Sequence, residues 1–290
     1  MGVYLDIDAD FMFQPRTGGN PRIQQDCWIA PAEFVERLEE AGLDWSASPV
    51  AVFTDHKEAY FVWKEWGAHS ATLVHVDAHS DFYDTFPGLV HCGNFLRKAV
   101  EDGLFSKVVW VVPRWLYDSG EWERWDTPGV RLRKRRAALS YHETGRCRCR
   151  VGHEVQVEIV PHDRFVMPNS RAALVTVATS PAFVPGDALP QIRELVGRVA
   201  ARCLRLVVRP HIPMSIEDPV LRSLWESVRD EMETRRPSRG ATETRTSAAH
   251  RLLSYLWIEH EVSQRRHCEV RGPGAPDVPP ACGVCSGRAS

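Results

Sequence analysis

No run of the chain approaches the ~20 consecutive apolar residues that a bilayer-spanning helix needs, which argues against a transmembrane protein. The apolar core of a secretory signal is missing too, because position 1 leads straight into YLDIDADF, whose carboxylates are incompatible with one. Positive charge is not in excess: 36 Lys+Arg against 38 Asp+Glu leave a formal net charge of -2, so no global field favours nucleic acid or an anionic membrane. There is no Gly-rich phosphate loop, no dinucleotide fingerprint, no serine nucleophile elbow and no internal repeat. The eight cysteines are scattered over 290 residues without the pattern of a secreted disulfide framework. The expectation is a soluble, cytoplasmic protein with neither nucleic acid nor membrane as partner.

Two cysteine pairs are close in sequence, Cys147-Arg-Cys149 and Cys282-Gly-Val-Cys285. The second has the knuckle spacing of a zinc site, with His267 and Cys268 nearby. It lies, however, in the Pro/Gly-rich tail GPGAPDVPPACGVCSGRAS, which reads as flexible and leaves unpaired thiols as the alternative.

What is present is ordinary globular material: 43% hydrophobic residues, with 10 Trp and 11 Phe, suffice for a large core. Strands are expected at Val3–Asp8, Val50–Thr54, Ala71–Val76, Lys107–Val112, Val155–Val160 and Ala172–Val177. Helices are expected at Pro31–Gly42, Lys57–Trp66, Asn94–Asp102 and Leu189–Arg202. Such alternation points to βαβ units and a mostly parallel sheet. Residues 114–150, rich in Trp and Arg, read as an insertion or lid. The catalytic domain would span residues 1–235, with helical residues 220–233 at its end. Residues 236–290 would be a linker, a helix at 248–262 and the tail.

Three acidic and histidine clusters share one placement. Asp6-Ile7-Asp8-Ala9-Asp10, Thr54-Asp55-His56 and Asp77-Ala78-His79-Ser80-Asp81 each follow an apolar strand. In an open parallel sheet, ligands bind outside the carboxyl ends of the strands, so the three can meet in one crevice. Neither residues 6–10 nor 77–81 contain Lys or Arg, and carboxylates gathered at low dielectric repel one another unless a cation intervenes. Four carboxylates and two imidazoles (Asp6, Asp8, His56, Asp77, His79, Asp81) form an oxygen-rich set that suits Mn²⁺ better than zinc, and six ligands suffice for two adjacent ions. Each cluster alone has a plainer reading: a solvated acidic turn for residues 6–10, and a helix cap beside a surface histidine for Asp55-His56.

Asp77-Ala78-His79-Ser80-Asp81 resembles the DAHxD motif of arginases and agmatinases, Asp6-Ile7-Asp8 their DxD motif, and Thr54-Asp55-His56 the segment bearing their isolated histidine ligand. More closely, YLDIDADFM, FTDHKEAYFVWKEWG, LVHVDAHSDF, HCGNF and LVTVATSPAFVP together resemble the UPF0489 family over roughly residues 3–205. Some bacterial members of that family are peptide arginases, which convert arginine to ornithine in ribosomally made precursor peptides. The resemblance implies a three-layer α/β/α sandwich of the arginase/deacetylase kind. It also implies a di-manganese centre that hydrolyses a guanidinium C–N bond, with an arginine-containing precursor peptide as partner. His56, Asp77, Asp81 and Asp6 would hold one ion, and His79, Asp77, Asp6 and Asp8 the other, with Asp10 orienting a ligand from behind. His91 is the candidate proton shuttle to the leaving amine and Asn94 a candidate substrate contact; His91 as a plain helix-start residue is the alternative.

Two departures from the arginase pattern stand out. The DxD pair opens the chain, ahead of DAHxD instead of after it. The stretch Val175-Thr-Val-Ala-Thr-Ser-Pro181 lacks the glutamate with which arginases grip the guanidinium, leaving Glu58, Glu217 and Asp218 as substitutes. The rival readings are a free-arginine or agmatine ureohydrolase, a mononuclear-zinc deacetylase-like amidohydrolase and a non-catalytic binding module. The run Arg131-Leu-Arg-Lys-Arg-Arg136 reads as a solvated loop or as a dock for an acidic leader peptide. Trp110, Trp115, Trp122 and Trp125 read as core and rim packing, or as the lining of a peptide groove.

Overall fold

The computed structural model describes residues 2–15, 25–82, 90–120, 139–142, 146–151, 153–181, 183–185 and 187–208. The expected segments at 131–136, 220–233 and 248–262, the tail with Cys282 and Cys285, and Trp122, Trp125, Glu217 and Asp218 all lie outside the described residues, as does residues 236–290 as a unit.

In chain order the elements are β1 (Val3–Asp8), β2 (Phe13–Pro15), β3 (Gln25–Cys27), α1 (Pro31–Glu40), β4 (Pro49–Phe53), α2 (Glu58–Glu65), β5 (Ala71–Val76), α3 (Phe95–Glu101), β6 (Phe105–Val112) and α4 (Arg114–Ser119). They continue with β7 (Leu139–His142), β8 (Arg146–Val151), β9 (His153–Pro161), β10 (Leu174–Ala178), α5 (Leu189–Arg202) and β11 (Arg205–Val208). The main sheet runs β11-β4-β10-β1-β5-β6-β9-β8-β7. The seven strands from β11 to β9 are parallel, and β8 and β7 extend that edge antiparallel.

The central strands bury side chains on both faces because helices cover both, as parallel sheets require. Residue parity sorts each strand between two cores. Val3, Leu5 and Ile7 of β1, with Val50 and Val52 of β4, meet Phe34, Val35 and Leu38 of α1 and Ile192, Leu195, Val196 and Val199 of α5. On the other face, Tyr4, Phe53 and Leu73 meet Val62 and Trp63 of α2 and Phe95, Leu96 and Ala99 of α3. Helices above and below one sheet make the expected three-layer α/β/α sandwich. Pro31 starts α1, its missing N–H costing no helical bond there. Gly42, at φ +103, ends it in the left-handed region that glycine reaches without strain.

The described part of residues 114–150, the segment expected as an insertion or lid, holds α4 and the two edge strands β7 and β8. The strand β11 and the small antiparallel pair β2–β3 were not anticipated, each being only three or four residues long.

Candidate metal centre

The carboxyl ends of β1, β4 and β5 adjoin the end of β10 between β4 and β1, and the three acidic and histidine clusters meet there. In β1, Asp6 and Asp8 share the parity of Tyr4 and point to the α2/α3 face. Register puts Asp6 beside His75 of β5 on one side and Thr176 of β10 on the other. Beyond the last paired residues of β1 and β5, Ile7 and Val76, come Asp8 and Asp77. His56 arrives from the turn between β4 and α2. The end of β10 is stitched to that turn, Thr179 N–H donating to the Phe53 carbonyl (3.0 Å) and Ser180 N–H to that of Thr54 (3.1 Å).

His56 is the hub. Its Nε2 lies 2.8 Å from Asp6 Oδ2, while its Nδ1 faces Asp8 Oδ2 at 2.8 Å and Asp77 and Asp81 at 3.4 Å each. His79 Nδ1 stands 3.1 Å from Asp10 Oδ2 and 3.4 Å from Asp77 Oδ1. The Phe95 ring packs on His56 with centroids 4.4 Å apart, so α3 closes the site from above. Trp110 fixes the β5 end by donating its indole N–H to the Asp77 carbonyl at 2.9 Å, the core role its sequence suggested. Asp6, Asp8, Asp10, His56, His75, Asp77 and Asp81 are all buried, whereas the side chain of His79 is 34% exposed. The cluster therefore opens to solvent at His79.

Two site residues, Asp81 (φ +52) and Ser180 (φ +43), sit in the left-handed region without being glycine. Such backbone is costly and is retained where the surroundings over-determine it, commonly at functional sites. Ser180 uses it to donate its hydroxyl to Asp8 Oδ2 at 2.8 Å.

The electrostatics are those of a site short of positive charge. Five carboxylates (Asp6, Asp8, Asp10, Asp77, Asp81) share three imidazoles, and the ion-pair partners of Asp6, Asp8, Asp10 and Asp77 among the described residues are all histidines. Burial raises the Asp6 carboxyl, but the charges and hydrogen bonds of His56 and His75 outweigh it and hold the group well below the usual carboxylate range. Asp77 is also lowered: burial opposes ionisation, and the His79 hydrogen bond with the charges of His75, His56 and His79 prevails. Asp10 goes the other way, pushed up to about 8 by burial and then by the negative charges of Asp8 and Asp77. Burial disfavours the cation of His56, yet Asp6 and Asp8 hold its pKa well above the ordinary value; for His79, Asp10 and Asp77 do the same.

The histidines do not satisfy every carboxylate oxygen of the cluster. Asp77 Oδ2 and Asp10 Oδ1 are buried with no hydrogen-bond partner. An orphaned carboxylate oxygen is expensive in a protein interior, and bound metal is one of the few things that removes the cost. The trios Asp6/His56/His75, Asp8/His56/Asp77, Asp10/Asp77/His79 and His75/Asp77/Asp81 each keep their candidate ligand atoms within 4.8 Å of one another. Ligands facing each other across an ion at bonds of about 2.1 Å are about 4.2 Å apart, so the donor spacing fits. The residues present can hold metal ions.

All six residues expected as ligands, and Asp10, gather here. The other two expected site residues lie in the turn leading into α3. His91 is buried there, its Nδ1 accepting from the Gly93 N–H at 3.1 Å. The Asn94 side-chain oxygen accepts from the His91 N–H at 2.8 Å, so that oxygen serves the turn. Glu58 occupies the first turn of α2, partly buried. Sequence reasoning missed His75, Thr176 and Ser180. The signal was available: His75 is a titratable residue inside a buried strand, two positions before Asp77 and on its face. Thr176 and Ser180 are the hydroxyls of the stretch searched only for a carboxylate.

Fold and site together define an α/β sandwich protein with a buried carboxylate–imidazole centre at the strand ends, able to bind metal. No protein-family model, curated protein or solved structure matches the chain.

Proposed function

We propose that this protein is a metal-dependent hydrolase that cleaves a guanidinium C–N bond, converting arginine within a peptide to ornithine and releasing urea. The observation that carries the hydrolase reading is the buried cluster itself, with two buried carboxylate oxygens that accept no hydrogen bond. Oxygen-rich donors with a minority of imidazole suit Mn²⁺, and two ions are the natural complement of the clustered carboxylates. Divalent cations held there would supply Lewis acidity and a water whose pKa is brought towards neutrality.

The choice of arginine rests on the motif resemblance: DAHxD at 77–81, DxD at 6–8 and Asp55-His56 together resemble the arginase pattern, and the wider segments resemble UPF0489 and its peptide arginases. The reaction consumes one water. The bond between the guanidinium carbon and the chain nitrogen breaks, the water oxygen leaves in urea, and the nitrogen becomes the ornithine amine after gaining a proton. His91, in the turn that seats Phe95 against His56, is assigned the delivery of that proton. Opening of the site at the His79 edge gives a side chain projecting from a peptide a route in. A cytoplasmic precursor peptide is the partner this reading names.

Incubating the protein with Mn²⁺ and an arginine-containing peptide tests the assignment. The expected result is a peptide mass loss equal to the difference between arginine and ornithine, with matching urea. Urea from free arginine alone would make the protein a free-arginine ureohydrolase, acetate release a deacetylase, and peptide binding without turnover a binding module. Each of those outcomes contradicts the peptide assignment.

A further inference from the structure

The motif pattern assigns Asp6 as a bridging metal ligand and Asp10 as a residue behind the ligands. Resting on the metal-centre reading above, we propose the reverse: Asp6 is a positioning residue that aims His56, and Asp10 is a ligand.

Three of the roughly four acceptor positions of the Asp6 carboxylate are already engaged by protein groups. Thr176 donates its hydroxyl to Asp6 Oδ1 at 2.6 Å, and Asp6 Oδ2 is shared by His56 Nε2 at 2.8 Å and His75 Nδ1 at 2.9 Å. His75 is equally committed, its Nε2–H donating to the His79 carbonyl oxygen at 3.1 Å. Asp6, His75 and Thr176 are side by side in adjacent strands, one pleat inside the strand ends and wholly buried. They form a polar floor beneath the site.

The level above is different. His56 turns its other nitrogen, Nδ1, to Asp8, Asp77 and Asp81 together, an arrangement that surrounds the place of one ion. Asp10 presents Oδ2 to His79 Nδ1 and leaves Oδ1 buried without a hydrogen-bond partner, and Asp77 Oδ2, with His56 Nδ1 at 3.4 Å, accepts no hydrogen bond either. His79, Asp10 and Asp77 therefore surround the place of a second ion, with Asp77 common to both. A carboxylate that grips one nitrogen of an imidazole fixes the ring and raises the basicity of the other nitrogen, the usual arrangement behind a metal-bound histidine. Asp6 does this for His56. The ligand set becomes Asp8, Asp10, His56, Asp77, His79 and Asp81, with the first pair shifted by two residues, from within β1 to its end and the turn beyond it.

Mn²⁺ stoichiometry and electron paramagnetic resonance of metal-stripped, reloaded protein separate the two assignments. Wild type should take two ions per chain and give the signal of an exchange-coupled pair. Asp10→Asn should bind one ion and lose the coupled signal. Asp6→Asn should keep two ions and the coupled signal, with affinity weakened about 10- to 100-fold, as for residues that support ligands from behind. Thr176→Val, which keeps Asp6 but removes its hydroxyl donor, should weaken affinity in the same direction, and it carries the test if Asp6→Asn does not fold. A single ion in Asp6→Asn with two in Asp10→Asn would overturn the proposal, as would wild-type affinity in Thr176→Val. Wild type that binds no Mn²⁺ overturns the metal centre itself and the proposal with it, a failure distinct from an exchange of roles between Asp6 and Asp10.

Discussion

At the scale of the residue, the site trades stability for the capacity to hold cations. Asp10 shows it best: burial and the charges of Asp8 and Asp77 push its carboxyl up to about 8, so its ionised form is disfavoured in the metal-free fold. Asp10→Asn removes that repulsion. The metal-free variant should melt a few degrees higher than metal-free wild type, where about 2–4 °C corresponds to 1 kcal/mol in a protein of this size. Added Mn²⁺ should then stabilise the variant less than wild type. A lower melting temperature without metal would contradict this picture. Most of the candidate residues were legible because carboxylates and histidines stood unneutralised after apolar strands. Roles were harder to read. Asp6 and Asp10 look alike in sequence, and only the neighbours contributed by β5 and β10, His75 and Thr176, distinguish a carboxylate with both oxygens engaged from one with an oxygen that accepts no hydrogen bond.

At the scale of the element, β1, β4, β5 and β6 were legible because each is largely buried and built mostly from β-branched and other apolar residues, interrupted in β1 and β5 by the very aspartates and histidine that reach the site. β8 was not: its Arg-Cys-Arg-Cys-Arg alternation sits in a segment whose other residues suggest a lid, and its place comes from pairing antiparallel to β9. The helix α3 matters more to the site than its seven residues suggest, because Phe95 at its start covers His56 and contacts Trp63 with centroids 5.7 Å apart. Phe95→Ala should cost about 3–5 kcal/mol of stability, the range for a large side chain removed from a packed core. Phe95→Leu, closer in volume, should cost much less while still loosening His56, so its Mn²⁺ affinity should fall more than its denaturant midpoint. Equal losses in both would mean that Phe95 serves the core alone.

At the scale of the whole molecule, the cluster should make stability depend on pH and metal in opposite senses. His56 and His79 have folded-state pKa values raised above the ordinary histidine value by their carboxylate partners. Their contribution is complete below about pH 6.5 and is lost as pH rises through the elevated values. Asp10, also raised, adds to the loss between about pH 4 and 8. Asp6 and Asp77 are lowered, so their contribution is present above about pH 4 and disappears on acidification. Metal-free protein should thus be most stable in mildly acidic solution and melt at lower temperature towards pH 9. Ions displace those protons, so the gain in melting temperature from Mn²⁺ should grow over the same range. A metal-free melting temperature that rises from pH 6 to 9 would contradict the assignment of charge in the cluster. The most direct measurement of the central claim is calorimetric titration of metal-stripped protein with Mn²⁺ in buffers of different ionisation enthalpy. The account predicts two ions bound per chain with release of protons, and loss of that binding in Asp77→Asn. Absence of binding, or binding that Asp77→Asn leaves unchanged, would contradict it.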